Sequence, residues 1–150
     1  MHTNSAVAAI ARLRDMGVEP FLLSSTITAL VAQRLVRRLC SSCKTPYKPS
    51  VQEQAELGLK KPNATFYRAV GCPECQDIGY ASRLGIYEIV TLDDKMRTMI
   101  HDGASENDLS NYAFKNRKNL LASGADKVLA GETSAEEVLR VCKAKTAEDI

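Results

Sequence analysis

The sequence predicts an α+β chain, mainly helical, and three observations carry that prediction. Apolar residues recur at helical spacing towards both ends. A stretch from Val31 to Leu39 alternates with a period of two, as a strand does. From Cys40 to about residue 92, Pro and Gly interrupt every long pattern and leave room only for short elements. At 150 residues and 45% apolar content the chain has material for an ordinary core. With three Phe, five Tyr and no Trp, that core is one of Leu, Val and Ala rather than of rings.

A first helix is expected over residues 4–16, capped by Asn4 or Ser5, with Ala6, Ile10 and Leu13 on one face and Gly17 as the left-handed residue behind it. Pro20 is suited to open a second helix, running to about Leu30. In Val31–Leu39, residues Gln33, Leu35, Arg37 and Leu39 alternate with Ala32, Arg34, Val36 and Arg38; the alternation is imperfect and leaves a helix open as the other reading. The middle of the chain offers a short helix over Val51–Leu57 and short strands over Phe66–Val70 and Leu84–Val90. Beyond it the chain turns helical. Asp93 caps a helix carrying Met96 and Ile100 and ending at Gly103. Ser105-x-x-Asp108 opens the next, with Leu109, Tyr112 and Ala113 inward. Leu121, Ala125, Val128 and Leu129 mark a third, stopped at Gly131, and Ser134-x-x-Glu137 is a capping box ahead of Val138, Val141 and Cys142.

A formal charge of +2 gives no bulk attraction to nucleic acid or anionic lipid. The sequence holds no apolar run near the ~18–20 residues of a membrane span, and Met1 is followed by His, Thr, Asn and Ser rather than by a signal peptide's charged and apolar segments. The expectation is a cytoplasmic chain whose thiols stay reduced. Its five Cys are also an odd number for a disulfide framework.

Four of those cysteines carry the sharpest signal. Cys40 and Cys43 form one C-x2-C pair, Cys72 and Cys75 another, with 28 residues between. Two such knuckles can close tetrahedrally on one Zn2+; four ligands leave no open position, so the metal is expected to be structural. A redox dithiol needs one C-x-x-C at a helix start in a βαβ unit, which two pairs among prolines do not resemble. Cys142 shares a face with Val138 and Val141 and reads as a core cysteine rather than a fifth ligand. The chain contains no G-x-x-x-x-G-K-[ST], G-x-S-x-G, H-E-x-x-H or G-x-G-x-x-G. Its two histidines are His2, without a local role, and His101, which suits the C-terminus of a helix. From the residues alone this is a zinc-stabilised module with two flanking parts and no catalytic centre.

Longer strings then bear a resemblance. His2-Thr-Asn-Ser-Ala, Arg12-Leu-Arg-Asp-Met-Gly-Val-Glu-Pro-Phe-Leu-Leu-Ser-Ser, Ala32-Gln-Arg-Leu-Val-Arg-Arg-Leu-Cys40, Gly71-Cys-Pro-Glu-Cys75 continuing as Gly79-Tyr-Ala-Ser-Arg-Leu-Gly-Ile-Tyr-Glu88, and Val128-Leu-Ala-Gly-Glu-Thr-Ser-Ala-Glu-Glu-Val-Leu-Arg140 resemble the C-terminal half of the secretion ATPases, the GspE/PilB family of type II secretion and type IV pilus assembly. The resemblance implies a fragment of a RecA-like, ring-forming, usually hexameric motor that binds ATP and Mg2+ and drives pseudopilus or pilus assembly. It implies the end of the RecA-like core over 1–39, the four-cysteine zinc insertion over 40–92 and a small C-terminal helical bundle over 93–150. His2 would be the histidine of the family's histidine box, near the nucleotide phosphates. Met1 replaces the usual Leu, as a start codon at a fragment's edge would. Ser82 replaces the usual Gly before Arg83, so no special backbone geometry is implied there. Without P-loop and Walker B carboxylate the chain alone is expected to be inactive. The implied partners are the other subunits of the ring and inner-membrane platform proteins, with the parent cytoplasmic and peripheral to that membrane. Arg34 and Arg83 could sit at a ring interface or near nucleotide, against the commoner reading of structural or solvated arginines. The competing reading is a free-standing zinc-ribbon nucleic-acid binder presenting Lys44, Lys48, Lys60, Lys61 and Arg68 with Tyr47, Phe66 and Tyr67. Near-neutral charge and the lack of a recognised binding motif favour no nucleic acid.

Overall fold

In a computed structural model, residues 5–143 are described, the side chain of Lys143 excepted. The elements are α1 (Ala8–Asp15), α2 (Pro20–Thr26), β1 (Ala29–Leu39), β2 (Thr45–Tyr47), α3 (Val51–Glu56), β3 (Phe66–Arg68), a single 3-10 turn (Pro73–Cys75), β4 (Tyr80–Thr91), α4 (Asp94–His101), α5 (Glu106–Ala113), α6 (Leu120–Leu129) and α7 (Ala135–Lys143). The chain is thus α+β, with seven α-helices and two two-stranded sheets, β1–β4 and β2–β3, among the described residues. No helix among them is long and apolar enough to cross a membrane.

The chain divides into two compact units. Met1–Gln33 with Tyr87–Asn119 form one, and Arg34–Ile86 with Leu120–Ile150 the other. In the first, α1 begins where the Ser5 hydroxyl accepts the Ala8 N–H at 3.1 Å. That bond closes the turn before the helix, whose N-cap is Val7 with no side-chain cap, so the helix is shorter than the expected 4–16; Asn4 lies outside the described residues. Ile10 is fully buried, and the helix ends at Gly17, whose φ of +92° is the left-handed turn a glycine makes at no steric cost. Helix α2 starts at Pro20 as expected but stops at Thr26, four residues short. The β-branched run Thr26-Ile27-Thr28 favours extended backbone, and the Ser25 and Thr26 hydroxyls bond back to the carbonyls of Phe21 and Leu22. Arg14 donates to the carbonyls of Ile100 (3.0 Å), in the last turn of α4, and Ala104 (2.6 Å), just beyond it. Arg97 donates to the carbonyl of Ser24 near the end of α2, at 2.7 Å. Both caps expected here form: Asp93 accepts the Met96 N–H at 2.8 Å and Ser105 the Asp108 N–H at 3.1 Å. The Tyr112 hydroxyl also bonds Asp93 and holds its carboxyl below the usual range. Leu23, Leu30, Val90, Met96, Ile100 and Leu109 fill the core.

The strand reading of Val31–Leu39 holds, with the strand opening two residues earlier. Leu30, Ala32 and Val36 turn inward, then the register breaks and Leu39 is buried too. Strand β4 starts four residues before Leu84 and buries Leu84, Ile86, Glu88 and Val90 on alternate positions. Outside, Tyr87 and Gln33 pair across the two strands, 3.2 Å between Oη and Nε2. In the second unit, β2 and β3 run antiparallel with Pro46 opposite Tyr67. Val36, Leu57, Phe66, Ile86, Val128 and Val138 are fully buried there. Helices α6 and α7 meet where Gly124 lies under Val138: a Cβ at Gly124 would stand 2.5 Å from Val138 Cγ1.

Candidate metal centre

The first knuckle follows β1 directly. Cys40 ends the strand's run, and the N–H groups of Cys43 (3.4 Å) and Lys44 (3.0 Å) fold back onto its carbonyl. In the second, the Cys72 carbonyl accepts from Cys75 (3.2 Å) and Asp77 (2.9 Å). Gly71, at φ +108°, admits this turn because a Cβ there would lie 2.8 Å from the Asp77 carbonyl oxygen. The Cys40 N–H donates to the Gly79 carbonyl at 3.0 Å and ties one knuckle to the other.

These turns bring four sulfurs together. Cys40 and Cys72, Cys43 and Cys75, and Cys72 and Cys75 each stand 3.8 Å apart, and all four Sγ atoms lie within 4.8 Å of one another. Four sulfurs at about 2.3 Å around one tetrahedral ion are about 3.8 Å apart, so the arrangement has the size that Zn2+ requires. Cys40 and Cys75 are buried, Cys43 and Cys72 half-buried. Backbone N–H groups point at the sulfurs: Gly71 at Cys43 (3.3 Å), and Cys72 and Gly79 at Cys75 (3.3 and 3.2 Å). Burial alone would raise the Cys75 thiol, but the N–H groups of Gly79 and Cys72 outweigh it and bring it down to about 6. Burial and the neighbouring thiols push Cys72 up to about 11. Four sulfurs so close cannot all ionise unless a cation lies among them, and a closed set of four soft donors suits a structural metal.

The four cysteines singled out in the sequence are therefore brought together. Cys142, in the last turn of α7, is not among them; it is half-buried rather than core. His2 lies outside the described residues. His101 is exposed at the end of α4, its Nδ1 3.3 Å from Asp102. Arg83 is exposed and Arg34 half-buried.

The supposed basic, aromatic face is largely taken up within the unit. Phe66 is fully buried. Lys44 donates to the Gly131 carbonyl at 2.9 Å and lies over the Tyr67 ring, Arg68 lies over Tyr47, and the Lys48 ammonium reaches Thr65.

Sequence reasoning missed a second constellation. Glu137, its side chain fully buried, accepts the Arg37 N–H at 2.7 Å and both guanidinium groups of Arg37 and Arg140 at 2.8–3.2 Å. Burial would raise its carboxyl, but these donors prevail and hold it at about 2. Arg37 stacks 4.3 Å over Tyr80, whose hydroxyl bonds Ser134 at 2.7 Å. The only sequence signal was the capping box: Ser134 does accept the Glu137 N–H at 3.1 Å, but the Glu137 carboxylate is engaged by arginines, one of them 100 positions away.

The type II/IV secretion system protein family matches residues 1–140. The type II secretion system protein E of Pseudomonas aeruginosa is 50% identical over 145 residues, 95% of this chain and 29% of that protein. The type II secretion system ATPase E of Vibrio cholerae is 46% identical over 145 residues, again 95% of this chain and 29% of the relative. That of Klebsiella pneumoniae, protein E, is 44% identical over 150 residues, 99% of this chain and 30% of its own length. The chain thus spans under a third of the curated relatives it matches. With the family's match reaching through both cysteine pairs and the helices that follow, the chain belongs to the type II/IV secretion system protein family.

Proposed function

We propose that this chain is the C-terminal portion of a secretion ATPase, a structural and interaction element of a motor that in full-length form couples ATP hydrolysis to pseudopilus or pilus assembly. The observation that supports this most is the coincidence of the family match with a four-sulfur cluster of tetrahedral size. On this reading residues 1–39 end a RecA-like core, 40–92 form the zinc insertion and 93–150 the C-terminal helical region. Cys40, Cys43, Cys72 and Cys75 hold one Zn2+, which supplies a rigid cross-link and no chemistry. The Gly71, Cys72 and Gly79 N–H groups orient the sulfurs, as outer donors do in metal sites generally. His2 serves the histidine box only in the full-length protein. Its partners are the other subunits of a hexameric ring and the inner-membrane platform, at the cytoplasmic face. Lacking a P-loop and Walker B carboxylate, the 150 residues alone do not hydrolyse ATP.

The test is metal content of the purified, reduced chain by elemental analysis, with circular dichroism followed as chelator is added. One zinc per chain, with structure lost on chelation, is expected. A well-folded chain without metal would refute the zinc module, and ATP turnover above that of a denatured control would refute the inactive-fragment reading.

A further inference from the structure

Helix α3 separates two surfaces of opposite charge. At 3.6 residues per turn, Gln52, Glu53 and Glu56 fall on one side of it and Val51, Gln54 and Ala55 on the other. The first side lines a cleft of about 720 Å3, bounded also by β2, β3 and the start of α7. Three carboxylates line that cleft, Glu53, Glu56 and Glu136, against one guanidinium, Arg68, which lies over the Tyr47 ring. The Tyr47 hydroxyl engages Glu53. Glu56 and Glu136 have no hydrogen-bond or ion-pair partner among the described residues. Ala69, Ala135 and Leu139 give the same cleft an apolar lining.

The other side of α3 opens on a groove of about 550 Å3 that runs out to Lys60, Lys61 and Pro62. Val51 is left 86% exposed there. Neither lysine side chain has a partner among the described residues. The backbone that carries them is nevertheless fixed. The Gln54 carbonyl accepts the Leu59 N–H at 2.8 Å, and its side-chain Oε1 accepts the Lys61 N–H at 2.9 Å. Gly58, at φ +73°, makes the left-handed turn between, and buried Leu57 ties the helix end to the core. A held cationic loop thus lies on one side of α3 and an acidic cleft on the other, so the loop does not serve the cleft of its own chain.

We propose that the 59–62 loop of one copy docks in the acidic cleft of a second copy. Lysine suits that cleft, because its methylene stem lies along Ala69, Ala135 and Leu139 while its ammonium meets Glu56 and Glu136. The two surfaces are different, so the contact is head-to-tail. It leaves a free cleft at one end and a free loop at the other, and continues past a dimer. This goes beyond the ring partners proposed above: the contact belongs to the second unit's own residues and needs neither nucleotide nor any part of a longer protein. Exposed ion pairs are weak singly, so the association depends on concentration.

The test is sedimentation equilibrium of the purified, reduced 150-residue chain. At about 0.05 M salt the average mass should rise with concentration past two chains, and at about 0.5 M it should fall towards one. Lys60→Glu with Lys61→Glu, and separately Glu56→Lys with Glu136→Lys, should each lower the association constant at least about tenfold. All four positions are exposed, and circular dichroism checks that both variants fold. Mixed in equal amounts the two variants should associate again, since each supplies the charge that the other reversed. If either does not fold, the salt and concentration series of the unaltered chain carries the test. A single-chain mass at every concentration, association that stops at two chains, reversals without effect, or a mixture that stays apart would each overturn the proposal. So would association that salt strengthens, which would place the contact on the exposed Val31, Tyr87 and Ile89 instead. A single chain that binds a lysine-rich peptide would give the cleft to a different protein and overturn self-association likewise.

Discussion

Protonating Glu137 should unlock the second unit, and its effect on stability has a definite sign and size. Folded, the carboxyl titrates near 2; the ordinary value is 4.5. A carboxyl depressed on folding contributes stability that is fully present above the unfolded value and lost as pH falls through the folded one. The window therefore runs from about pH 5 down to about pH 2. At about 1.4 kcal/mol for each tenfold change in proton affinity, the depression corresponds to about 3 kcal/mol. The carboxylate is fully buried, but Arg37 and Arg140 are 44% and 58% exposed, so solvent screens their share and about 2 kcal/mol is the firmer figure. The assay is urea unfolding by circular dichroism from pH 7 to pH 2, for wild type and Glu137→Gln. At pH 7 the variant should be the less stable by at least that amount, since two guanidinium groups lose their acceptor charge. The gap should close as pH approaches 2. Acid also protonates the thiol cluster, but it does so in both proteins, so the difference between them isolates Glu137. Parallel curves across the whole window would refute the assignment.

Two further substitutions probe the backbone. Gly124→Ala places a methyl 2.5 Å from Val138 Cγ1 and should destabilise by about 1–3 kcal/mol despite the better helix propensity of Ala; if close packing is the cause, adding Val138→Ala should recover part of the loss in thermal melts. Ser82 sits at φ +66°, a left-handed conformation that L side chains rarely adopt. Ser82→Gly should therefore raise stability by about 0.5–1 kcal/mol, and an unchanged or lowered midpoint would mean the hydroxyl contributes something the backbone argument omits.

The resemblance gave no reason to expect that geometry at Ser82, since a serine there is a departure from the family's glycine. The backbone keeps the glycine-like turn with a serine in place. Gly79, just before β4, reads as a break and hid the strand's first four residues, Ser82 among them. Strand β2 was hidden for a related reason: Thr45-Pro46-Tyr47 is three residues with a proline at the centre, tolerable only beside a single partner strand. Helix ends were legible wherever a short polar residue precedes an apolar period, as at Asp93, Ser105 and Ser134. Ser50 works the same way for α3, accepting the Glu53 N–H at 3.0 Å, but the weak periodicity behind it concealed the signal. What spacing cannot reveal is pairing at long range, where no local pattern marks the partner. Glu137 with Arg37, Glu88 with Ala6 and Lys44 with Gly131 are all of this kind.

The cysteines escaped that limit because each knuckle is local, and only the meeting of the two knuckles is not. On the zinc reading proposed above, the burial of this segment says what a metal would do where they meet. Between Cys40 and Gly79 the apolar side chains buried as more than thiols are Leu57 and Phe66. Burying two such groups is worth about 3–6 kcal/mol, while ordering some forty backbone residues costs about 1–2 kcal/mol each. Hydrogen bonds of the two-stranded sheet β2–β3 cannot close that gap, since such a pair is marginal by itself. Besides the packing of β3 on α6 and α7, this stretch reaches the turn between those helices through Lys44, which donates to Gly131 and lies over Tyr67. On the zinc reading, a tetrahedral cross-link among four thiolates would supply the largest remaining term. On this argument chelation should first loosen the segment around Leu57 and Phe66 and leave the packing of Gly124 on Val138 for last. Hydrogen exchange after chelator is added would read that order directly, and uniform loss of protection across the second unit would contradict it.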